Sequence, residues 1–402
     1  MSSPRAYLDY NASAPMRPQV VASMNEVFAQ PGNASSVHGE GRHYRKLIEL
    51  ARNQLADLVH GESDGVTFTS SATEAAHLAL TPDIHSDGQL RAADRLYVLA
   101  TEHPCVLAGG RFETDQIVTV PVKANGLVDL EALNALVNQN GEHIPYLAIQ
   151  LANSETGIIQ PVAEASTMIR LKGGYTLCDA VQAVGRIDVD ISDLGVDFLI
   201  LSAHKIGGPQ GIGALISAHQ VLTLPAVIRG GGQESNRRAG TENTAAIAGF
   251  GVAAELASQQ LENISEIKLL RDSIEASLLP ICAGNGLNDR LTIFGADVDR
   301  VCNTCLFGVE GLRAETALIA FDLDGVAVSS GSACSSGKVG GSHVLKAMQV
   351  DDTVARGAIR VSLGWNSTRN DVEKFEKSFA RITKRLSEMT SVAQKSGMAG
   401  AA

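Results

Sequence analysis

The sequence predicts an α/β protein, with a large domain built on a largely parallel sheet and a smaller α+β domain after it. Three observations carry that reading. Short apolar runs alternate with helical patterns up to residue 216. Those runs are apolar at nearly every position, not at alternate ones, which marks strands covered on both faces and joined by helical crossovers. Beyond an alanine-rich helical stretch at 244–262, strands and helices follow in mixed order.

Taken in order, the expected strands of the large domain are 66–69, 97–100, 146–151, 175–178, 198–201 and 212–216, each bounded by turn formers such as Gly207-Gly208-Pro209-Gln210-Gly211. The helix at 244–262 leads out of this domain. In the smaller domain, strands are expected near 301–309, 326–329 and 358–363. The last helix is marked by Val372, Phe375, Phe379, Ile382, Leu386 and Met389 at steps of three and four, with Thr368 or Ser367 as its cap and Asp371 and Glu373 in its first turn. Residues 391–402 lack the composition to drive packing and are expected to form a loose tail.

Charge and composition exclude several function classes. The chain of 402 residues carries 44 acidic and 33 basic side chains, a formal charge of −11. An acidic surface is the wrong sign for nucleic acid or an anionic membrane. No apolar stretch reaches the roughly 20 residues that span a bilayer, and the first residues have no signal-peptide core. The expected location is the cytoplasm. The six cysteines are scattered and do not form a disulfide framework. Cys302-Asn-Thr-Cys305 has no second pair for a zinc site. Two core cysteines are the expected reading there, with a redox motif as the alternative.

Lys205 is the most informative residue. It follows the apolar run 198–201 and precedes a glycine-rich turn, so it stands at a strand end, where α/β proteins place their chemistry. A buried lysine is explained either by an ion pair or by service as a Schiff-base nucleophile. Four neighbours in the pattern bear on the choice. Strand 66–69 runs into Ser70-Ser71-Ala72-Thr73-Glu74, hydroxyl residues at a helix start that suit a phosphate or serve as an ordinary cap. Strand 175–178 ends in Asp179, a partner for a protonated ring nitrogen. His103 follows strand 97–100 and is flat enough to stack on a ring, though a lone histidine is more often structural. Ser202 and His204 flank the lysine and suit a phosphate. Each is bland alone; together they match the requirements of pyridoxal phosphate. Gly207 to Gly213 lacks the order of a dinucleotide-binding loop.

These residues carry a family resemblance. The chain resembles the cysteine desulfurases, fold-type I pyridoxal-phosphate enzymes related to class V aminotransferases. The motifs include Gly32-Asn33-Ala34-Ser35-Ser36, Ala72-Thr73-Glu74, Thr101-Glu102-His103, Asp179-Ala180-Val181-Gln182 and Ser202-Ala203-His204-Lys205. They continue through Gly230-Gly231-Gly232-Gln233-Glu234, Ala239-Gly240-Thr241, Ser329-Ser330-Gly331-Ser332-Ala333-Cys334 and Arg360-Val361-Ser362-Leu363-Gly364.

The resemblance implies a seven-stranded, mostly parallel sheet flanked by helices. It implies a large cofactor domain at 15–258 and a small domain formed by 1–14 with 259–390. It implies that Lys205 holds pyridoxal 5'-phosphate covalently and that Asp179 pairs with its ring nitrogen. Gln182 and Ser154 would face the ring hydroxyl, with His103 stacked on the ring. Ala72, Thr73, Ser202 and His204 would hold the phosphate, and Thr241 would reach the phosphate of a second subunit, hence a homodimer. Arg360 would bind the carboxylate of L-cysteine, with Asn33 and Asn153 near the substrate.

Cys334 lies in a Ser/Gly-rich stretch, 329–342, whose composition reads as a mobile, exposed loop. An accessible thiol there suits a nucleophile as well as it suits a passive surface residue. The resemblance implies the nucleophile, in the manner of the long-loop group. Cys334 would take sulfur as a persulfide and pass it to an acceptor for iron–sulfur clusters or thiolated cofactors, leaving alanine. Departures from the family pattern are Ser154 for asparagine, Ser71 for glycine, His77 for asparagine, and Ser235-Asn236 for Arg-Gly. Another class V enzyme, a selenocysteine lyase or a small-amino-acid aminotransferase, is the rival reading. A scaffold that kept the fold without the chemistry is the rival of a different class.

Overall fold

The computed structural model describes residues 5–139, 141, 143–331 and 341–399, with side chains described as far as residue 389. Seven strands form the central sheet: β1 Val66–Thr69, β2 Arg95–Leu99, β3 Ile117–Val120, β4 Pro145–Gln150, β5 Tyr175–Asp179, β6 Phe198–Ser202 and β7 Gly213–Ser217, in the spatial order β1-β7-β6-β5-β4-β2-β3. Only β7 runs against its neighbours β1 and β6; the remaining pairings are parallel. Six strands therefore end on one edge, and Thr73, His103, Asp179 and Lys205 lie at or just beyond those strand ends.

The continuous apolar runs have the expected cause. Successive residues enter different cores: Tyr97, Leu99, Leu199 and Leu201 on one face, Leu96, Val98, Phe198 and Ile200 on the other. Fully burying each such side chain contributes about 1.5–3 kcal/mol. The helix Thr244–Gln260, close to the expected 244–262, is buried along most of its length against the first face.

Two features escape the sequence pattern. β3 is an edge strand with three of its four residues only partly covered, too short and too exposed to read as a buried run. Asp83–Ser86 and Gln89–Ala92 form a hairpin, extended by Leu222–Thr223 into a three-stranded sheet. Its turn residues Asp87 and Gly88 have φ of 51° and 75°, the left-handed pair that a two-residue hairpin turn requires.

A second sheet holds β8 Leu291–Ile293, β9 Thr304–Val309, β10 Ser329–Ser330 and β11 Ala358–Ser362, antiparallel in the order β8-β9-β11-β10. The last helix, Arg369–Ala399, lays Phe375 and Phe379 on this sheet, with Phe307 5.2 Å from Phe379 between ring centroids. Asp371 accepts hydrogen bonds from the Thr368 amide and hydroxyl, while Ser367 serves the preceding turn by accepting from the Gly364 amide. Met389 departs from the expected stripe, being 72% exposed. The helical backbone also continues to Ala399, past the point where composition predicts a loose tail. Strand Ala6–Tyr7 pairs with Val326–Ala327, and Ala6 and Leu8 enter this second core. Among the described residues no helix is long and apolar enough to cross a membrane.

Candidate active site

β6 ends at Ser202, and a single 3-10 turn, Ala203–Lys205, carries the lysine to the sheet edge. Its Nζ donates to the carbonyls of Asn11 at 2.6 Å and Ala12 at 2.9 Å. Lys205 is half-buried, less enclosed than its apolar approach predicts, because the segment that walls it is the polar N-terminal one. Asp179, at the end of β5, accepts from the Val181 amide at 2.9 Å. Burial pushes its carboxyl up to about 6, opposed by that amide and by Lys205. His103 and His204 are both held down to about 4, first by burial and then by the charge of Lys205. The lysine, the carboxylate and two neutral imidazoles thus occupy one neighbourhood, as the motif spacing implies.

Glu102 belongs to this group, and sequence reasoning assigned it no role. It is fully buried. One carboxyl oxygen accepts from the Gln150 amide, and the other has no partner. Burial, reinforced by the charge of Asp179, drives its proton affinity well above the usual carboxylate range. A buried, unpaired charge is far more costly than a neutral acid. Glu102 therefore keeps the proton and Asp179 carries the negative charge. The available signal was its place between a strand end and the candidate stacking histidine.

The helix Ala72–Ala79 begins just past β1. Ser71 caps it by accepting from the Glu74 amide at 3.1 Å, and Glu74 in turn accepts from Ser70 at 2.6 Å and pairs with Arg238 at 2.9 Å. The cap leaves the first amides of the helix, at Ala72 and Thr73, pointing out of the helix start, a setting for an anion. Gly213 backs this turn, and a Cβ there would stand 2.4 Å from the Ser71 carbonyl carbon, so glycine is required. Cys105 links the turn to the imidazole: its sulfur lies 2.9 Å from His103 Nδ1 and shares a hydrogen bond with Thr73. Burial pushes the Cys105 thiol up to about 12, so it remains a thiol.

The polar floor is a connected network. Asn11, 1% exposed, donates to the Ser154 carbonyl at 3.1 Å and to Thr304 at 2.9 Å, while its own carbonyl accepts from Lys205 and from Gln182 at 3.0 Å. Gln182 also accepts from Arg186, so both ends of its amide are engaged. Arg360 is fully buried on β11. It donates to Asp9 at 2.7 Å and to the Ser154 carbonyl at 3.0 Å, leaving Nε as its buried donor without a partner. Asn153 accepts from Glu155 and Thr156 and donates to Thr101 and Gln150. Its amide is engaged in the turn.

Two sequence candidates lie on exposed loops. Asn33 and Thr241 are exposed in a single chain. The loops that carry them border a cleft of about 650 Å³ lined by Ala34, Ser35, Arg52, Glu234 and Glu242, and Lys205 is not among its walls. Glu234 anchors that cleft, bonded to Arg52 at 2.9 Å and to the Phe68 amide at 2.8 Å. Glu234, Ser235 and Asn236 have φ of 46°, 55° and 67°, a strained left-handed run whose last two residues stand where the family pattern places Arg-Gly. Cys334 lies outside the described residues. Cys302 and Cys305 are buried free thiols, which agrees with the core reading of that pair. Among the described residues no cluster of His, Cys, Asp or Glu suits a metal ion.

Glu155 offers a pH test of this floor. It is 2% exposed, and burial pushes it up to about 7 despite the Ser342 hydroxyl and the charge of Arg360. Its folded-state affinity for the proton exceeds the unfolded one. The associated stability is thus present below about pH 4.5 and lost as pH rises through about 7. Glu155→Gln removes this titration. Urea midpoints from pH 5 to 8 are expected to fall less for Glu155→Gln than for the wild type, by up to about 3 kcal/mol. Parallel pH curves would rule this out.

Comparison with known proteins shows the family and the fold. Residues 6–375 match the aminotransferase class-V family. A cysteine desulfurase of Sinorhizobium fredii is 35% identical over 95% of this chain and 97% of its own length. The crystal structure of a NifS-like protein from Rickettsia africae superimposes with a TM-score of 0.80 at 34% identity, covering 94% of this chain and 99% of that one. SspA in complex with cysteine superimposes with a TM-score of 0.69 at 27% identity, covering 89% of this chain and 98% of that one.

Proposed function

The chain belongs to the aminotransferase class-V family, and we propose that it is a pyridoxal-phosphate-dependent cysteine desulfurase converting L-cysteine to L-alanine. The observation that carries this reading is the grouping at one sheet edge of Lys205, the ionised Asp179 and the neutral imidazoles of His103 and His204. This donor set fits the cofactor: an amine for its aldehyde, a carboxylate for its ring nitrogen, a flat neutral ring to stack on, and a capped helix start for its phosphate. The cofactor, when bound, supplies the electron sink that makes the Cα proton of cysteine labile.

The chain's own residues do the rest. Lys205 would hold the cofactor and afterwards move the proton at Cα. Asp179 would keep the ring nitrogen protonated, and Glu102, being neutral, would not compete with it. Ala72, Thr73, Ser202 and His204 would hold the phosphate. Ser154 and Gln182 would face the ring hydroxyl. Arg360, whose guanidinium is held by Asp9 and the Ser154 carbonyl, would bind the substrate carboxylate. The Cys334 thiolate attacks the substrate sulfur. The S–S bond forms as the C–S bond breaks, and the electron pair with a proton ends on Cβ, so cysteine and a protein thiol become alanine and a protein persulfide.

Asn33 and Thr241 are exposed in one chain, which supports a homodimer in which each subunit completes the other's site. The persulfide sulfur would pass to an acceptor protein in the cytoplasm, for iron–sulfur clusters or thiolated cofactors. The test is direct. Adding pyridoxal phosphate to the purified chain should produce a visible absorption band that shifts on adding L-cysteine, with alanine released. No band and no alanine would overturn the assignment.

A further inference from the structure

The described residues on either side of the Cys334 stretch meet on the Glu155 carboxyl, to which the proposed chemistry gives no role. Gly331 and Ser342 flank the stretch 332–341. They meet: a Cβ placed on Gly331 would stand 3.6 Å from the Ser342 Cβ and 2.9 Å from Glu155 Oε2. The Ser342 hydroxyl donates to that same Oε2 at 2.5 Å and accepts from the Leu345 amide at 3.0 Å, capping the helix His343–Ala347. The next residue, His343, donates to the Glu102 carbonyl at 2.9 Å. The chain therefore leaves and returns at one point. That point is bolted to the turns after β2 and β4 of the large domain, which also carry His103 and Ser154.

We propose that Glu155 is a positioning residue for sulfur transfer, holding both roots of the Cys334 segment against the cofactor edge. The proposal rests on the desulfurase reading above. Three residues of extended chain beyond Gly331 reach at most about 11 Å, so the place of that root bounds where a residue three positions on can act. Glu155 also senses the charge of Arg360. The root of the sulfur-accepting segment and the candidate carboxylate-binding arginine thus share one buried neighbour. A glycine at 331 follows from the same contact, since any side chain there would meet the Glu155 carboxyl.

The test uses the holoenzyme with Glu155→Ala, Ser342→Ala, the double variant and Ser342→Thr. Persulfide formation on Cys334 is followed by mass spectrometry after mixing with L-cysteine. Cofactor affinity and unfolding midpoint are measured in parallel. Each single alanine variant is expected to slow persulfide formation about tenfold or more, with KM for cysteine and cofactor affinity changed less than about threefold. The double variant should be no slower than Glu155→Ala, because the two residues act as one pair, and Ser342→Thr should recover most of the rate. Wild-type rates in both single variants would overturn the proposal, as would losses that track cofactor release or unfolding. Should Glu155→Ala fail to fold, Ser342→Ala and Ser342→Thr decide it alone. Absence of persulfide in the wild type would instead refute the parent reading.

Discussion

Lys205→Ala is expected to lower alanine formation by at least about a thousandfold, the size of effect expected when one residue serves as both covalent anchor and general base. The physical ground is position. The Nζ is held by the Asn11 and Ala12 carbonyls at the sheet edge, close enough to Asp179, His103 and His204 to shift all three. Removing it abolishes the covalent attachment and the base together. The phosphate cradle and Asp179 remain, so the variant should still bind the cofactor, weakly and reversibly. Borohydride should fix the cofactor to the wild type at a peptide containing Lys205 and fix nothing to the variant. Substantial turnover by Lys205→Ala would show that another amine does the work.

Asp179→Asn is the second large effect, with an expected loss of about 10²–10³ in kcat, the cost of removing one preorganised electrostatic partner in a buried site. Asparagine keeps the shape and can still accept from the Val181 amide. It cannot carry the charge that keeps a ring nitrogen protonated. Because the neighbouring Glu102 is neutral and has only one oxygen engaged, it is not placed to supply that charge. The loss should therefore fall on kcat more than on KM. Glu102→Gln, which preserves a neutral group of the same shape, is expected to retain most activity. Equal losses in Asp179→Asn and Glu102→Gln would mean that the two carboxyls share the charge.

Much of this was legible in the sequence. The continuous apolar runs announced strands covered on both faces, and the polar residues following them announced a site at the strand ends. The strands at 117–120 and 83–92 were missed because each is partly exposed and short, so neither periodicity nor a long apolar run marks it. Lys205, Asp179 and His103 stand out in the sequence because motif and strand end coincide. Glu102 was overlooked because a buried carboxyl has no sequence signature apart from its neighbours. Asn11 was overlooked because its role passes through its carbonyl and through partners nearly 200 to 350 positions away, such as Lys205 and Ser362. Asn153 was read only as a residue near the substrate, and its part in the turn was not seen. The amide looked free in the sequence and is committed in the turn.

The central claim is that Lys205 and Cys334 divide one reaction between them, the proton at Cα to the first and the sulfur to the second. The most direct measurement is a single turnover of the cofactor-loaded chain with L-cysteine, in which alanine is counted and the peptides are mapped by mass spectrometry. The account predicts one alanine per added sulfur atom, with that sulfur on Cys334, and neither product from Cys334→Ala. Alanine at the wild-type rate from Cys334→Ala, or sulfur found on another cysteine, would contradict it.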